Sequence, residues 1–469
     1  MPENTPFLLS RRGFLSLSLL ALPRFQRPQP GIEFLDYDRV APVVTTNKFT
    51  LPRELAGSPD TVRRAWPGWL QSHDREIRSR IVRGEEDTLV NFVLFGVSFT
   101  DRPRVAVTEI DSQSTISLIR ERVDHFITAI EKPVSDRLKL LQGLLSRLGY
   151  DTRTSAQRDR VRDYVSSQIT RYISEWRQYQ QIVEKSRSND AASTRDGSAG
   201  LYKSRGLSVD TDFRPNYAIE QALQEVKQRG LAKSVKRVAV IGPGLDFTDK
   251  DSGFDYYPLQ TLQPFALIDS LIRLGLARTS ELEVSVFDIS SQPLDHISQA
   301  ITRARSREPY TLQLVLDRAG AWNTAAVNYW RRLGDRVGSE VAPMAAPRQI
   351  QNVDRRAVRI QPQIVTLLNP RPLNIISEHV TAPSDQRFDL IVATNIFLYY
   401  DRFELALALL NIESMLSSSG VMLTNDAIED YAGIRLRTVG NVSVQYSPSQ
   451  ADTVRIYSIS RFQPQLAPG

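Results

Sequence analysis

Three short segments of this 469-residue chain hold residues whose types could grip a nucleoside. The first is Lys236-Arg-Val-Ala-Val-Ile-Gly-Pro-Gly-Leu-Asp-Phe247. Val238 to Ile241 reads as a short buried strand, and Gly242 and Gly244 follow at once. Glycine has no Cβ, so the backbone there can approach a ligand closely. Pro243, Asp246 and Phe247 complete the candidate lining of this turn. Many α/β proteins carry a Gly-x-Gly turn without a ligand, so the motif needs support. The second segment supplies some. Asp288 ends the expected strand Leu282-Glu-Val-Ser-Val-Phe287, with Ile289 beside it. A carboxylate there can accept both hydroxyls of a ribose; its other reading is a cap on the next turn. The third is Ala393-Thr-Asn-Ile-Phe-Leu-Tyr-Tyr-Asp401, in which Thr394 and Asn395 are candidates. Asn395 offers a donor and an acceptor to a ligand, or bonds only to neighbouring backbone. Glu378, before His379, is placed where a base would lie, or else in a surface loop.

These residues need strands that end at a common edge. From Val235 onward the pattern alternates strand and helix. Strands are expected at 238–241, 282–287, near 373–377, at 388–393 and at 420–424, with helices at 259–274, 295–305 and 402–416 between them. The runs 442–446 and 454–459 alternate and predict a terminal antiparallel hairpin. This order implies an α/β, doubly wound Rossmann-like sheet, whose strand ends share one crevice. Upstream, amphipathic stripes predict helices over 69–95 (in two pieces broken at Gly84), 115–130, 133–148 and 156–183, an all-α region. The proline-rich stretch from 29 to about 60 reads as an extended arm. Ser186 to Gly200 is small and polar, without core pattern. The expected division is an N-terminal signal or tail at 1–28, arm and helical domain at 29–185, linker at 186–216 and α/β domain at 217–469.

Composition excludes several chemistries. With no cysteine, disulfides, thiolate metal sites and Cys nucleophiles are out. The four histidines are scattered, which gives a His-based metal site no support. The 59 basic residues nearly balance 53 acidic ones, and no dense basic run is interleaved with aromatics, so nucleic-acid binding is not expected. No apolar run reaches the roughly 18 residues of a transmembrane span. At the N-terminus, Ser10-Arg-Arg-Gly-Phe-Leu-Ser16 precedes a short apolar run and resembles a twin-arginine export signal. That implies a periplasmic protein; a basic tail on a cytoplasmic one is the alternative.

Phe388-Asp-Leu-Ile-Val-Ala-Thr-Asn-Ile-Phe-Leu-Tyr-Tyr-Asp401, followed by Met415-Leu-Ser-Ser-Ser-Gly-Val-Met-Leu-Thr424, resembles class I S-adenosylmethionine-dependent methyltransferases. The nearest likeness is to the chemotaxis-receptor (CheR-type) enzymes, with "FDLIxxRNVLxYFD" and "LxPGGxLxxG". Gln263-Pro-Phe-Ala-Leu resembles their Glu-Pro-Tyr-Ser-Leu, and Phe287-Asp-Ile-Ser290 their Thr-Asp-Ile-Ser. The resemblance covers about 235–430. It implies a methyltransferase-type sheet and S-adenosyl-L-methionine as a small-molecule nucleoside donor. The cofactor-binding residues it would then use are Gly242, Pro243, Gly244, Asp246, Phe247, Asp288, Ile289, Glu378, Thr394 and Asn395. The chain departs from the pattern. Gly242 and Asp288 lie well beyond the usual separation of about 20 residues. Thr394 replaces the family's arginine, Ser-Ser-Gly replaces Pro-Gly-Gly, and 312–371 has no counterpart. No catalytic base is required, because methyl transfer rests on positioning and desolvation. The acceptor is not readable: carboxylate, hydroxyl or amine, on a small molecule or a protein. The competing reading is a non-catalytic, exported scaffold with the same sheet. A nicotinamide dehydrogenase is disfavoured, since Phe247 stands at the third glycine of Gly-x-Gly-x-x-Gly.

Overall fold

The computed structural model describes residues 30–47, 49, 51–105, 113–186, 213–248, 254–348, 350–448 and 450–460. The twin-arginine motif, most of the 186–216 linker and loop residues 249–253 lie outside these. β1 (Gly31–Phe34) leads into α1 (Tyr37–Thr46) and the long α2 (Pro59–Phe95). α3 (Gln113–Glu131), α4 (Asp136–Arg147) and α5 (Ser155–Ser186) follow. Helix Arg214–Gln228 then precedes β2 (Arg237–Ile241), and helix Gln263–Arg273 joins it to β3 (Glu283–Asp288). Helix Ser291–Arg305 leads to β4 (Tyr310–Asp317), β5 (Gly338–Val341), β6 (Val353–Ile360) and β7 (Leu368–Pro372). β8 (Glu378–Thr381), β9 (Phe388–Ala393), helix Arg402–Met415, β10 (Leu416–Thr424), β11 (Leu436–Ser447) and β12 (Gln450–Ile459) complete the chain.

Seven strands form one sheet in the order β11-β12-β10-β9-β2-β3-β7. β10, β9, β2, β3 and β7 run parallel, while β12 is antiparallel to both β10 and β11. This is the expected doubly wound, Rossmann-like sheet with a terminal antiparallel hairpin. Its central strands are apolar on both faces, as a covered parallel sheet requires. Val238, Val240, Val284, Val286, Leu390 and Val392 pack beneath the helices that flank β2 and β3. Ala239, Ile241, Phe287, Ile391 and Ala393 point the other way, against helix Arg402–Met415 and the N-terminal segment. A third cluster joins α2 to α5 and includes Leu245, Phe247 and Leu259 from the loop after β2. The helical region therefore seats on the edge of the sheet where the parallel strands end. Among the described residues no helix is long and apolar enough to cross a membrane.

Three expectations need correction. The arm is not extended throughout. Asp36 caps α1 by accepting from Asp38 N at 3.1 Å, and Tyr37, Val40 and Val43 are buried at helical spacing. α2 does not break at Gly84 but runs through it. A helical glycine costs about 1 kcal/mol relative to alanine. Burying Leu89, Val90, Phe92, Val93 and Leu94 at roughly 1.5–3 kcal/mol each outweighs that cost. The stretch 373–377 is a turn, tied by Ser377 N–H and Glu378 N–H to Asn374 O at 3.0 and 2.8 Å. The strand lies just before it, as β7, hidden from the sequence reading by Pro370 and Pro372. Proline is tolerated there because β7 is an edge strand. The stretch 312–371, for which the resemblance offers no counterpart, holds most of a small antiparallel sheet, β4-β6-β5, which covers the helices packed on β2 and β3.

Candidate functional site

The chain leaves β2 for β3 and β7 on one side, then returns to β9 and β10 on the other. In open α/β sheets such a reversal is where a ligand crevice is expected, here outside the carboxyl ends of β2, β3 and β9. Three of the nominated segments end there.

Gly242 and Gly244 both have left-handed backbones, with φ of +68° and +65°. Gly242 N–H donates to Phe287 O at 2.8 Å, which ties the β2 turn to the β3 end. A Cβ on Gly242 would collide with the Ile396 side chain, so the β2 and β9 turns touch at that point. Pro243 and Gly244 are buried. Asp246 accepts from Tyr257 OH at 2.8 Å and from Gln260 Nε2 at 2.7 Å. Phe247 is buried edge-on to Phe92 of α2. Its role is packing, and it offers no free edge to a ligand. Arg137 of α4, fully buried, donates to the carbonyls of Asp246 (2.7 Å), Phe247 and Tyr257. This brace on the glycine loop was missed. An arginine among many on an amphipathic helix carries no local mark of it.

Asp288 sits at the last position of β3, with Ile289 half-buried beside it. Its carboxylate accepts from Ser290 N at 2.8 Å through one oxygen. No cation pairs with it among the described residues. Burial pushes its carboxyl up to about 7. It keeps some solvent access at the crevice floor and has acceptor capacity to spare. The turn-cap reading is thus part of the truth, since one oxygen does bond the turn. It does not use the whole carboxylate.

Thr394 is buried, and its hydroxyl accepts from Gln263 Nε2 at 2.7 Å, so it faces a neighbouring helix end. Asn395 is exposed, with φ of +57°, a strained conformation for a non-glycine residue. Its N–H donates to Asn425 Oδ1 at 2.8 Å, and its own Oδ1 accepts from Asn425 Nδ2 at 2.7 Å. Asn425 follows β10 and was not nominated; its position just past a predicted strand end was the available signal. Glu378 is not in an open loop. It lies in β8, paired with Phe34 of β1, and its carboxylate accepts from Arg78 at 3.0 Å and from Asn374 N at 2.8 Å. It ties α2 to the turn after β7. α2 also reaches Gln292, which donates to Glu85. With Phe92 on Phe247 and Glu85 on Gln292, α2 passes over the ends of both β2 and β3.

No family model matches the chain, and no curated protein matches it. Among solved structures, MtNAS in complex with MTA and tNA is 11% identical, over 83% of this chain and 98% of that one, at a TM-score of 0.23. The mitomycin 7-O-methyltransferase MmcR is 12% identical, over 86% and 97%, at 0.26. An O-methyltransferase of neocarzinostatin biosynthesis, in complex with S-adenosyl-L-homocysteine and 1,4-dihydroxy-2-naphthoic acid, is 10% identical, over 76% and 99%, at 0.28. Overlaps this loose carry no argument, so the case rests on the chain's own geometry.

Proposed function

We propose that this protein binds S-adenosyl-L-methionine in the crevice outside β2, β3 and β9 and transfers its methyl group to an acceptor. The observation that carries the reading is Asp288. It is a largely buried carboxylate at the end of the strand beside the glycine turn, with no cation partner among the described residues and with lone pairs to spare. Two ribose hydroxyls would satisfy it. The left-handed Gly242 and Gly244 would let the amino-acid end of the donor lie close to the backbone. Ile289 would offer an apolar edge to the base. Asn395 would meet the ligand from the β9 side. The bound donor supplies an activated methyl group for in-line displacement. The chain's part is to hold the reactants in line and exclude water, and α2, lying over the strand ends, suits the second task.

A non-catalytic scaffold is the second reading. It is favoured by Ile396 packed on Gly242 and by Glu378 and Thr394 being committed to protein partners. Export by the Ser10-Arg-Arg-Gly-Phe-Leu motif would favour it further, because the donor is made in the cytoplasm. Cell fractionation with a C-terminal tag reports the compartment.

The deciding experiment is calorimetric titration of S-adenosylmethionine and S-adenosylhomocysteine into the full chain. Micromolar binding, abolished by Asp288→Ala in a folded sample, is expected. No heat and no thermal shift at millimolar ligand would leave the scaffold reading.

A further inference from the structure

The Asn395–Asn425 contact determines which end of the Asn395 carboxamide faces the crevice. Carboxamide orientation is normally ambiguous, because oxygen and nitrogen exchange by a flip. Here a backbone group removes the ambiguity. Asn395 N–H can only donate, so the Asn425 atom 2.8 Å away must be Oδ1. The other Asn425 atom is then Nδ2, which can only donate, so the Asn395 atom 2.7 Å from it must be Oδ1. The Asp452 carboxyl, raised by burial, lies close enough to the Asn425 side chain for that side chain to oppose the shift. Asp452 stands near the start of β12, beyond the end of β10, and is steadied by accepting from Thr453 N at 2.9 Å. Arg455 donates to Asn425 O at 3.3 Å and pins the backbone. Both polar side-chain atoms of Asn425 and the Asn395 Oδ1 therefore have one permitted role. What remains is the Asn395 NH2, exposed and without a partner among the described residues.

We propose that Asn425 is a positioning residue that fixes Asn395 as a hydrogen-bond donor, so that the ligand group held there is an oxygen acceptor and not an ammonium. The class is carboxylate, carbonyl or deprotonated hydroxyl oxygen. The strained φ of Asn395 fits this role, since the turn holds that backbone where its N–H meets Asn425. The inference deepens the methyltransferase reading and rests on it for the claim that this oxygen belongs to a bound substrate. The carboxamide polarity itself stands on the hydrogen bonds alone.

The test uses full-length protein with selectively 15N-labelled asparagine, titrated with acetate and, separately, with methylammonium. S-adenosylhomocysteine titration and thermal unfolding run on the same samples. In the wild type, acetate should move the Asn395 side-chain NH2 signals at a concentration at least about tenfold below that needed with methylammonium, as expected for one charge-assisted bond. Asn425→Ala should abolish the preference while leaving the unfolding midpoint nearly unchanged. The double variant Asn425→Asp with Asp452→Asn is the sharper arm. It keeps both bonds between positions 395 and 425 but reverses the Asn395 carboxamide, so the preference should turn to methylammonium. A merely structural Asn425 would show no reversal. Equal response to both probes in the wild type, or an unchanged preference in the double variant, overturns the proposal. If acetate selectivity appears without S-adenosylhomocysteine binding, the donor polarity stands and the methyltransferase reading falls.

Discussion

Replacing Asp288 by asparagine should make the protein more stable at alkaline pH while destroying the proposed nucleoside site. The folded carboxyl titrates at about 7, against 3.8 for the exposed group. Below 3.8 both states hold the proton, and the group costs nothing. Between 3.8 and 7 the unfolded chain has lost its proton while the folded one keeps it, so stability falls as pH rises. Above 7 the loss is complete. Roughly 3 units at about 1.4 kcal/mol each set a ceiling of about 4 kcal/mol. Asp288 keeps some contact with water, and an asparagine amide needs its own acceptors, so about 2–3 kcal/mol is the expected gain at pH 8. Asp288→Asn should gain nothing at pH 4. His296 works in the opposite sense. Burial lowers it to about 4, so it contributes stability above 6.5 that is lost as pH falls through 6.5 toward 4. The two slopes oppose each other in the wild type, so the informative quantity is the variant-minus-wild-type difference. Urea unfolding of both proteins at half-unit steps from pH 4 to pH 8.5 measures it. A flat difference, or a variant less stable at pH 8, would refute the claim that Asp288 is a buried, unpaired carboxylate. S-adenosylhomocysteine affinity supplies a companion measurement. If the ionised carboxylate takes the ribose, affinity should weaken about tenfold per pH unit below 7.

Other variants test the frame around the crevice. Gly242→Ala places a Cβ in a left-handed turn and against Ile396, and should cost about 2–4 kcal/mol by urea unfolding; adding Ile396→Ala should recover only the steric share. Arg137→Met leaves three buried carbonyls without their donor and should cost about 3–5 kcal/mol, with faster amide exchange across 245–248; no rescue is expected from Arg137→Lys, whose single ammonium cannot span the three acceptors. His296→Gln should flatten the acid limb of the stability curve between pH 6.5 and 4, since the group that must charge on unfolding is gone; an unchanged limb counts against a buried neutral imidazole.

The central strands of the sheet are legible in the chain itself. Buried strands such as Val238–Ile241 and Phe388–Ala393 are short apolar runs bounded by turn residues, and that signal is local. The same holds for the left-handed turn at Gly242 and Gly244, and for the acidic residue that ends β3. The sequence also foretold the hairpin of β11 and β12, because alternation is a period-two property of the chain itself. Tertiary structure decided which of these residues keep chemistry free. Asp288 and Glu378 are both carboxylates near strand ends, and nothing in their neighbours along the chain separates them. α2 brings Arg78 to Glu378 and no cation to Asp288, and that choice belongs to the packing of a helix some three hundred positions away. β7 was hidden because its prolines are forbidden in a central strand and allowed at an edge, and only the assembled sheet has edges. Arg137 looked like one more solvated arginine until its helix docked on the glycine loop. Asn425 acquired its meaning when β10 came to lie beside β9. Strand and turn are set by periods of two to four residues. Partnership between ionisable groups is set by distance in space, which the chain order does not record.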